Sequence, residues 1–343
     1  YQKDWLISTI LSFIEDGIKI KGKEFDNEKL KEVKEIFITI SKNEKSQIND
    51  FKDLSMTALN NVKGKLYSCL IEYSLCNSRR LPSSTESVGF WDKEIKDIVL
   101  NKLADQTDNV LIFHTLGKYL LNIGYLDKDW LINNFPKIFP IENEKCWSAA
   151  IDGYFFYQVD PLEFIFDLFA NNKHFELALR KDFENISGHA KKNIVTCICI
   201  AYLLDYKVVQ LNSELLKTLL GTKTEYVYSN IIYFFWDPHK RIGSKYLKKV
   251  KDIWEYLYND CIKMTSPEND KVFLSCSSKW LNTVDKLDDK VYEIIKNSIV
   301  FLNQRDRYFV LEILDKHAKD STKYVAEILL LIFTKEITYD GRE

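Results

Sequence analysis

Glycine and proline are scarce in this chain, 11 and 6 among 343 residues, and the scarcity removes whole classes of fold. β-Sandwiches and doubly wound sheets need many tight turns, which draw on residues that supply a positive or a fixed φ. Helices joined by short polar loops have no such need. Net charge is nearly missing too: 48 basic residues stand against 50 acidic ones, a formal −2. No global field drives such a chain toward nucleic acid or an anionic membrane, although a local patch is still allowed. No apolar run approaches the roughly 20 residues of a membrane span, and no signal or transit peptide is recognisable. The reading is a protein without a membrane span; a cytoplasmic setting is expected because its seven cysteines read as reduced structural thiols.

Catalytic motifs are absent as well. There is no GxGxxG, Walker A, GxSxG or HExxH pattern. The five histidines (His114, His174, His189, His239, His317) have no His, Cys or carboxylate at metal-ligand spacing, so no metal and no cofactor is expected. His114 reads as a satisfied buried or boundary imidazole. Asp127, Asp129, Glu142 and Glu144 read as helix-capping or first-turn carboxylates, which complement the macrodipole. The seven cysteines sit mostly inside apolar helical patterns, where a free thiol behaves as a small hydrophobe. Cys197-Ile198-Cys199 lacks the spacing of a redox or zinc motif.

What the sequence does contain is helical periodicity almost everywhere. Leu6, Ile10, Phe13, Ile14 and Ile18 form a first stripe. Leu30, Val33, Ile36, Phe37 and Ile40 form a second, entered through Asp26 as N-cap. Leu59, Val62, Leu66, Leu70 and Tyr73 line a third, where Gly64 with Ala58 and Ser68 suggests close approach of another helix. Asn77 to Phe90 reads as a long polar loop. Gly124 reads as a C′ cap, Asp127 as a helix start, and Asp160-Pro161, Asp237-Pro238 and Ser266-Pro267 as further starts. The fold class implied is all-α: an irregular HEAT-like α-solenoid of stacked helix pairs, running over 1–343 as one elongated array with a possible subdivision into 1–140 and 141–343. The helical pattern is already running by Trp5 and the chain opens on Tyr1, so a piece of a larger protein is expected.

The most basic stretch runs from His239 to Lys251, with Phe234, Phe235, Trp236 and Trp254 around it. A phosphate-contacting groove would look like this, but so would a solvated helix face, because Tyr246 and Val250 continue an apolar period between the lysines. The second reading is preferred. Binding hot spots favour Trp, Tyr and Arg outside the core stripes. The candidates for partner binding are accordingly Arg79, Arg80 and Phe90 in the long loop, and Trp236, His239 and Arg241 near the basic helix.

Three blocks carry a family resemblance. The first is Ser55-Met56-Thr57-Ala58-Leu59-Asn60-Asn61-Val62-Lys63-Gly64-Lys65-Leu66, running on through Leu70 to Leu75. The second runs from Leu116-Gly117-Lys118-Tyr119 through Tyr125-Leu126-Asp127-Lys128-Asp129-Trp130-Leu131 to Ile138-Phe139-Pro140. The third is Trp147-Ser148-Ala149-Ala150-Ile151-Asp152-Gly153-Tyr154. In this order they resemble the C-terminal helical-repeat regions of large bacterial antiphage-defence proteins, which carry a sirtuin-type NAD hydrolase or a STAND-type NTPase core with an effector. The resemblance covers roughly residues 50 to 180 and consists of packing residues and turns. It implies a non-catalytic sensor that binds a protein, a phage protein among the options, and signals to an effector domain of its own chain. The alternatives are a nucleic-acid-binding solenoid, which the charge balance disfavours, and an enzyme with an unrecognised helical active site.

Overall fold

The computed structural model describes residues 2–19, 25–44, 53–80, 91–104, 110–180, 186–236 and 246–339. Among the described residues all regular structure is helical, in 19 α-helices and short 3-10 turns. No described helix is long and apolar enough to cross a membrane. The chain forms two compact units, Tyr1–His174 with Lys181–Ile194, and Phe175–Arg180 with Val195–Glu343.

The first unit contains α1 (Gln2–Lys19), α2 (Asn27–Asn43), α3 (Leu54–Asn60), α4 (Val62–Arg79), α5 (Lys93–Ala104), α6 (Val110–Lys118), α7 (Leu120–Leu126), α8 (Lys128–Ile138), α9 (Glu144–Tyr157) and α10 (Glu163–Asn171). Side chains start several of these helices as the local chemistry dictates. Asp26 accepts from Lys29 N at 2.9 Å and Asp127 from Trp130 N at 2.9 Å, each satisfying an orphan N–H of the first turn. α4 packs on α1, α2, α3, α5, α6 and α7, while α6 packs on α3, α4, α7, α8 and α9. α6 buries every residue from Val110 to Gly117 and α9 every residue from Cys146 to Phe155. Helices buried on all sides belong in the middle of a fold, and these two cross there in backbone contact. A Cβ on Gly117 would stand 2.1 Å from the Ala150 carbonyl oxygen, and one on Gly153 would stand 2.0 Å from that of His114. The crossing is reciprocal and closed to any larger residue.

The sequence blocks meet at such crossings. Gly64, in the first turn of α4, has the Ala58 carbonyl of α3 at 2.1 Å from where its Cβ would lie, so a helix does approach closely there, but Ala58 belongs to that helix and not to the flank of Gly64. Other expectations change. The third stripe belongs to two helices, because Asn61 ends α3 and caps α4 by accepting from Lys63 N at 2.8 Å. In α1 the core stripe is Leu11, Ile14 and Ile18, whereas Leu6, Ile10 and Phe13 face solvent. Gly124 lies inside α7 and is no cap. Asp160-Pro161 precedes the start at α10, whose N-cap is Leu162 with no side-chain bond. The polar stretch from Asn77 is still helical to Arg79.

Next come α11 (His174–Arg180) and α12 (Gly188–Leu203), each divided between the two units, then α13 (Glu214–Gly221), α14 (Glu225–Trp236), α15 (Leu247–Cys261), α16 (Pro267–Ser277), a 3-10 turn (Ser278–Thr283), α17 (Asp289–Ser298), α18 (Gln304–His317) and α19 (Thr322–Tyr339). Trp280 of the 3-10 turn is the hub of the second unit. It is fully buried, donates from Nε1 to Ile232 O at 3.0 Å, and packs its ring against Phe235, Trp254 and Phe273 at 5.7, 6.2 and 5.9 Å. These edge-to-face pairs are the arrangement aromatic quadrupoles favour. The anchoring of Trp280 fixes the turn that carries Lys279. All seven cysteines are free thiols.

Candidate functional site

Trp236 ends α14 and is half-buried among rings, with Tyr233 at 5.9 Å and Phe309 at 5.5 Å. These three rings surround one ammonium. Lys279 Nζ lies 5.7 Å from the Tyr233 ring, 5.6 Å from Trp236 and 5.7 Å from Phe309. All three distances fall within the range where a cation is attracted to a ring face. The fourth wall is Asp306, whose Oδ1 pairs with Lys279 at 3.1 Å. Asp306 Oδ2 accepts from Ser275 Oγ and Asn303 Nδ2, both at 2.8 Å. The pair is buried, so its cohesion depends on this full set of hydrogen bonds.

The outer surface of the cage is exposed. Tyr233 is 53% exposed and Tyr308, next to Phe309, is 69% exposed. Arg305 places its guanidinium 6.0 Å from the Phe309 ring. Tyr, Trp and Arg are the residue types on which binding energy concentrates, and here a buried ion pair holds their backing in place. Of this group the sequence flagged only Trp236. Asp306 reads locally as part of a cap, since Asn303 Oδ1 accepts its N–H at 2.8 Å, and that role hides its distant lysine.

Arg79 and Arg80 are engaged within the chain. Arg79 Nη2 donates to Ile18 O at 2.9 Å, and Arg80 Nη1 donates to Asn27 Oδ1 at 2.8 Å and Nη2 to Phe25 O. Phe90, His239 and Arg241 lie outside the described residues. So does the first half of the basic stretch and the Asp237-Pro238 start. In its second half Lys249 donates to Tyr202 O at 2.7 Å and pairs with Asp205. Lys251 pairs with Asp288. Two of the cations that a phosphate groove would need are thus already neutralised by carboxylates.

The first unit holds a polar cluster with the residue types of a hydrolytic triad. Ser55 Oγ lies 3.1 Å from His114 Nε2, and Asp152 Oδ2 lies 3.6 Å from the same nitrogen. Asp152 Oδ1 also accepts from Ser187 N at 2.8 Å. A relay requires the carboxylate on one ring nitrogen and the hydroxyl on the other. Here both approach Nε2, while the buried Nδ1 has no hydrogen-bond partner. The three side chains are buried, and they join α3, α6 and α9. Of the two placements the sequence allowed for His114, buried or boundary, the structure shows the buried one, with Nδ1 unsatisfied; its partners come from the first and third blocks and no spacing rule reveals them. Among the described residues no group of three or more His, Cys, Asp and Glu is placed to hold a metal ion.

No family model, no curated protein and no solved structure matches this chain.

Proposed function

We propose that this chain is a protein-recognition module, built as an irregular HEAT-like solenoid, and that it serves as the sensor region of a bacterial antiphage-defence protein. The observation that carries the reading is the surface formed by Tyr233, Trp236, Arg305, Tyr308 and Phe309 over the Lys279–Asp306 pair. Exposed aromatic side chains with a fixed backing bind at low entropic cost, because little freedom remains to be lost on contact. The carboxylate pairing of Lys249 and Lys251 supports a protein partner over a nucleic acid. The resemblance of the three blocks supplies the class of system, and a phage protein is the partner it implies.

The test is the double substitution Tyr233→Ala with Tyr308→Ala, assayed by phage protection of expressing cells together with thermal stability of the purified protein. The exposed Tyr308 should cost within about 0.5 kcal/mol, as surface changes do, and Tyr233, which also walls the Lys279 cage, about 1 kcal/mol. Loss of protection with no larger loss of stability supports the reading. Full protection in the double variant refutes this surface as the recognition site.

A further inference from the structure

A second site lies in the first unit and rests on different residues. From α1 through α4 to the α6–α7 junction runs a chain of polar groups: Lys19 pairs with Glu15 at 2.5 Å and Glu72 at 3.5 Å, and Tyr119 OH donates to Glu72 Oε1 at 3.0 Å. Lys118, in the last turn of α6, stands beside this chain without joining it. Among the described residues no carboxylate lies within 4 Å of its ammonium, which instead rests 5.2 Å from the Tyr119 ring and 5.0 Å from that of Tyr157. Both nearby carboxylates are committed elsewhere, Glu15 to Lys19 and Glu72 to Lys19 and Tyr119. Lys118 is half-buried, and desolvation first, then the like charge of Lys19, pushes its pKa below the ordinary lysine value. Tyr157 is 43% exposed and Lys118 itself only half-buried, so both side chains reach the surface of the first unit.

We propose that Lys118, framed by Tyr119 and Tyr157, is a docking point for a carboxylate carried on an acidic peptide segment of a protein partner. The local charges choose the valence. Lys118 is the one member of the group without an ion pair, while Glu15 and Glu72 stand close enough to repel a second negative charge, so a single carboxylate suits the position better than a phosphate dianion. The two ring faces supply apolar walls for the peptide on either side of that charge. An anion placed here relieves the desolvation of a half-buried cation, a gain that the exposed and already paired Lys19 does not offer.

The experiment uses the whole chain with 13C-labelled lysine Cε, following the Lys118 titration by NMR. The probes are a short acetylated and amidated peptide bearing one glutamate, its glutamine counterpart, and inorganic phosphate. The glutamate peptide should raise the Lys118 pKa by about one unit, the size of effect an opposite charge at close range produces. The glutamine peptide should leave it in place, and phosphate should act only at higher concentration. In Lys118→Met, peptide-induced amide shifts over 114–119 and 154–158 should vanish while the circular dichroism spectrum is kept. An unmoved Lys118 pKa overturns the site, and an equal response to the glutamine peptide overturns the role of charge. Phosphate acting at or below the peptide's concentration overturns the carboxylate assignment. The labelled measurement stands even if the Met variant fails to fold.

Discussion

His174 sets the steepest acid dependence that the structure implies. Trp147 Nε1 donates to its Nδ1 at 3.0 Å, so Nδ1 must keep a lone pair and the ring proton sits on Nε2, which is buried without a partner. Phe135, Phe139 and Phe169 close around the imidazole at 5.5, 5.6 and 5.9 Å. Protonating Nδ1 would place a charge in an aromatic box and turn a hydrogen bond into a clash of donors. Burial accordingly pushes the His174 pKa down to about 4. In the unfolded chain an imidazole titrates near 6.5, so between those values the unfolded state binds a proton that the folded state refuses. The stabilisation is therefore fully present above about pH 6.5 and is lost as pH falls toward 4. A displacement of roughly 2.5 units corresponds to about 3 kcal/mol. Urea denaturation of the wild type and His174→Gln at several pH values from 7.5 to 4 isolates the effect, since Gln can accept from Trp147 but does not titrate. The wild-type advantage should shrink by about 3 kcal/mol across that range. Parallel stability curves for the two proteins, or a His174 resonance titrating near 6.5, would refute the argument.

Three further outcomes are expected. Gly117→Ala and Gly153→Ala should each destabilise the first unit by about 1–3 kcal/mol or more, as overpacking does, although Ala is the better helix former by roughly 1 kcal/mol; a rise in melting temperature would show that the α6–α9 crossing relaxes freely. Asp306→Ala should cost about 3–5 kcal/mol by stranding the Lys279 ammonium, whereas a loss below about 1 kcal/mol in denaturant titration would show that water reaches the cage. Lys249→Glu should lower stability, because it opposes Asp205, while changing DNA affinity little at physiological salt; submicromolar DNA binding that this substitution abolishes would restore the basic stretch as a nucleic-acid groove.

Much of this architecture is legible in the sequence because its causes are local. Asp26 and Asp127 are visible as caps since the N–H groups they satisfy lie three residues away. Leu30, Val33 and Phe37 of the expected stripe fall on one buried face of α2, although Ile36 of the same stripe is exposed and Ile40 only half-buried. α1 defeats the same method. It is apolar on two arcs, and periodicity alone cannot tell that Leu11 is inside and Phe13 outside. The candidate sites are less legible still. Lys279 and Asp306 sit on separate elements, and Ser55, His114 and Asp152 on three helices. The quoted blocks marked where helices touch, without revealing which polar atoms meet there.

The bonds made by Arg79 and Arg80 bear on the order in which the chain can mature during synthesis. The carbonyl of Ile18, in the last turn of α1, finds its donor in a guanidinium 61 residues downstream, and Phe25 O and Asn27, at the start of α2, find theirs in Arg80. The first two helices therefore leave the ribosome with their facing ends unfinished. They are completed only when α4 has emerged, so a nascent chain halted before Arg79 should keep the local Asp26 cap and the Phe25 N–Gly17 O bond yet leave the Ile18 and Phe25 carbonyls to water. One arginine later the end of α1 is closed, and two later the start of α2 is closed as well.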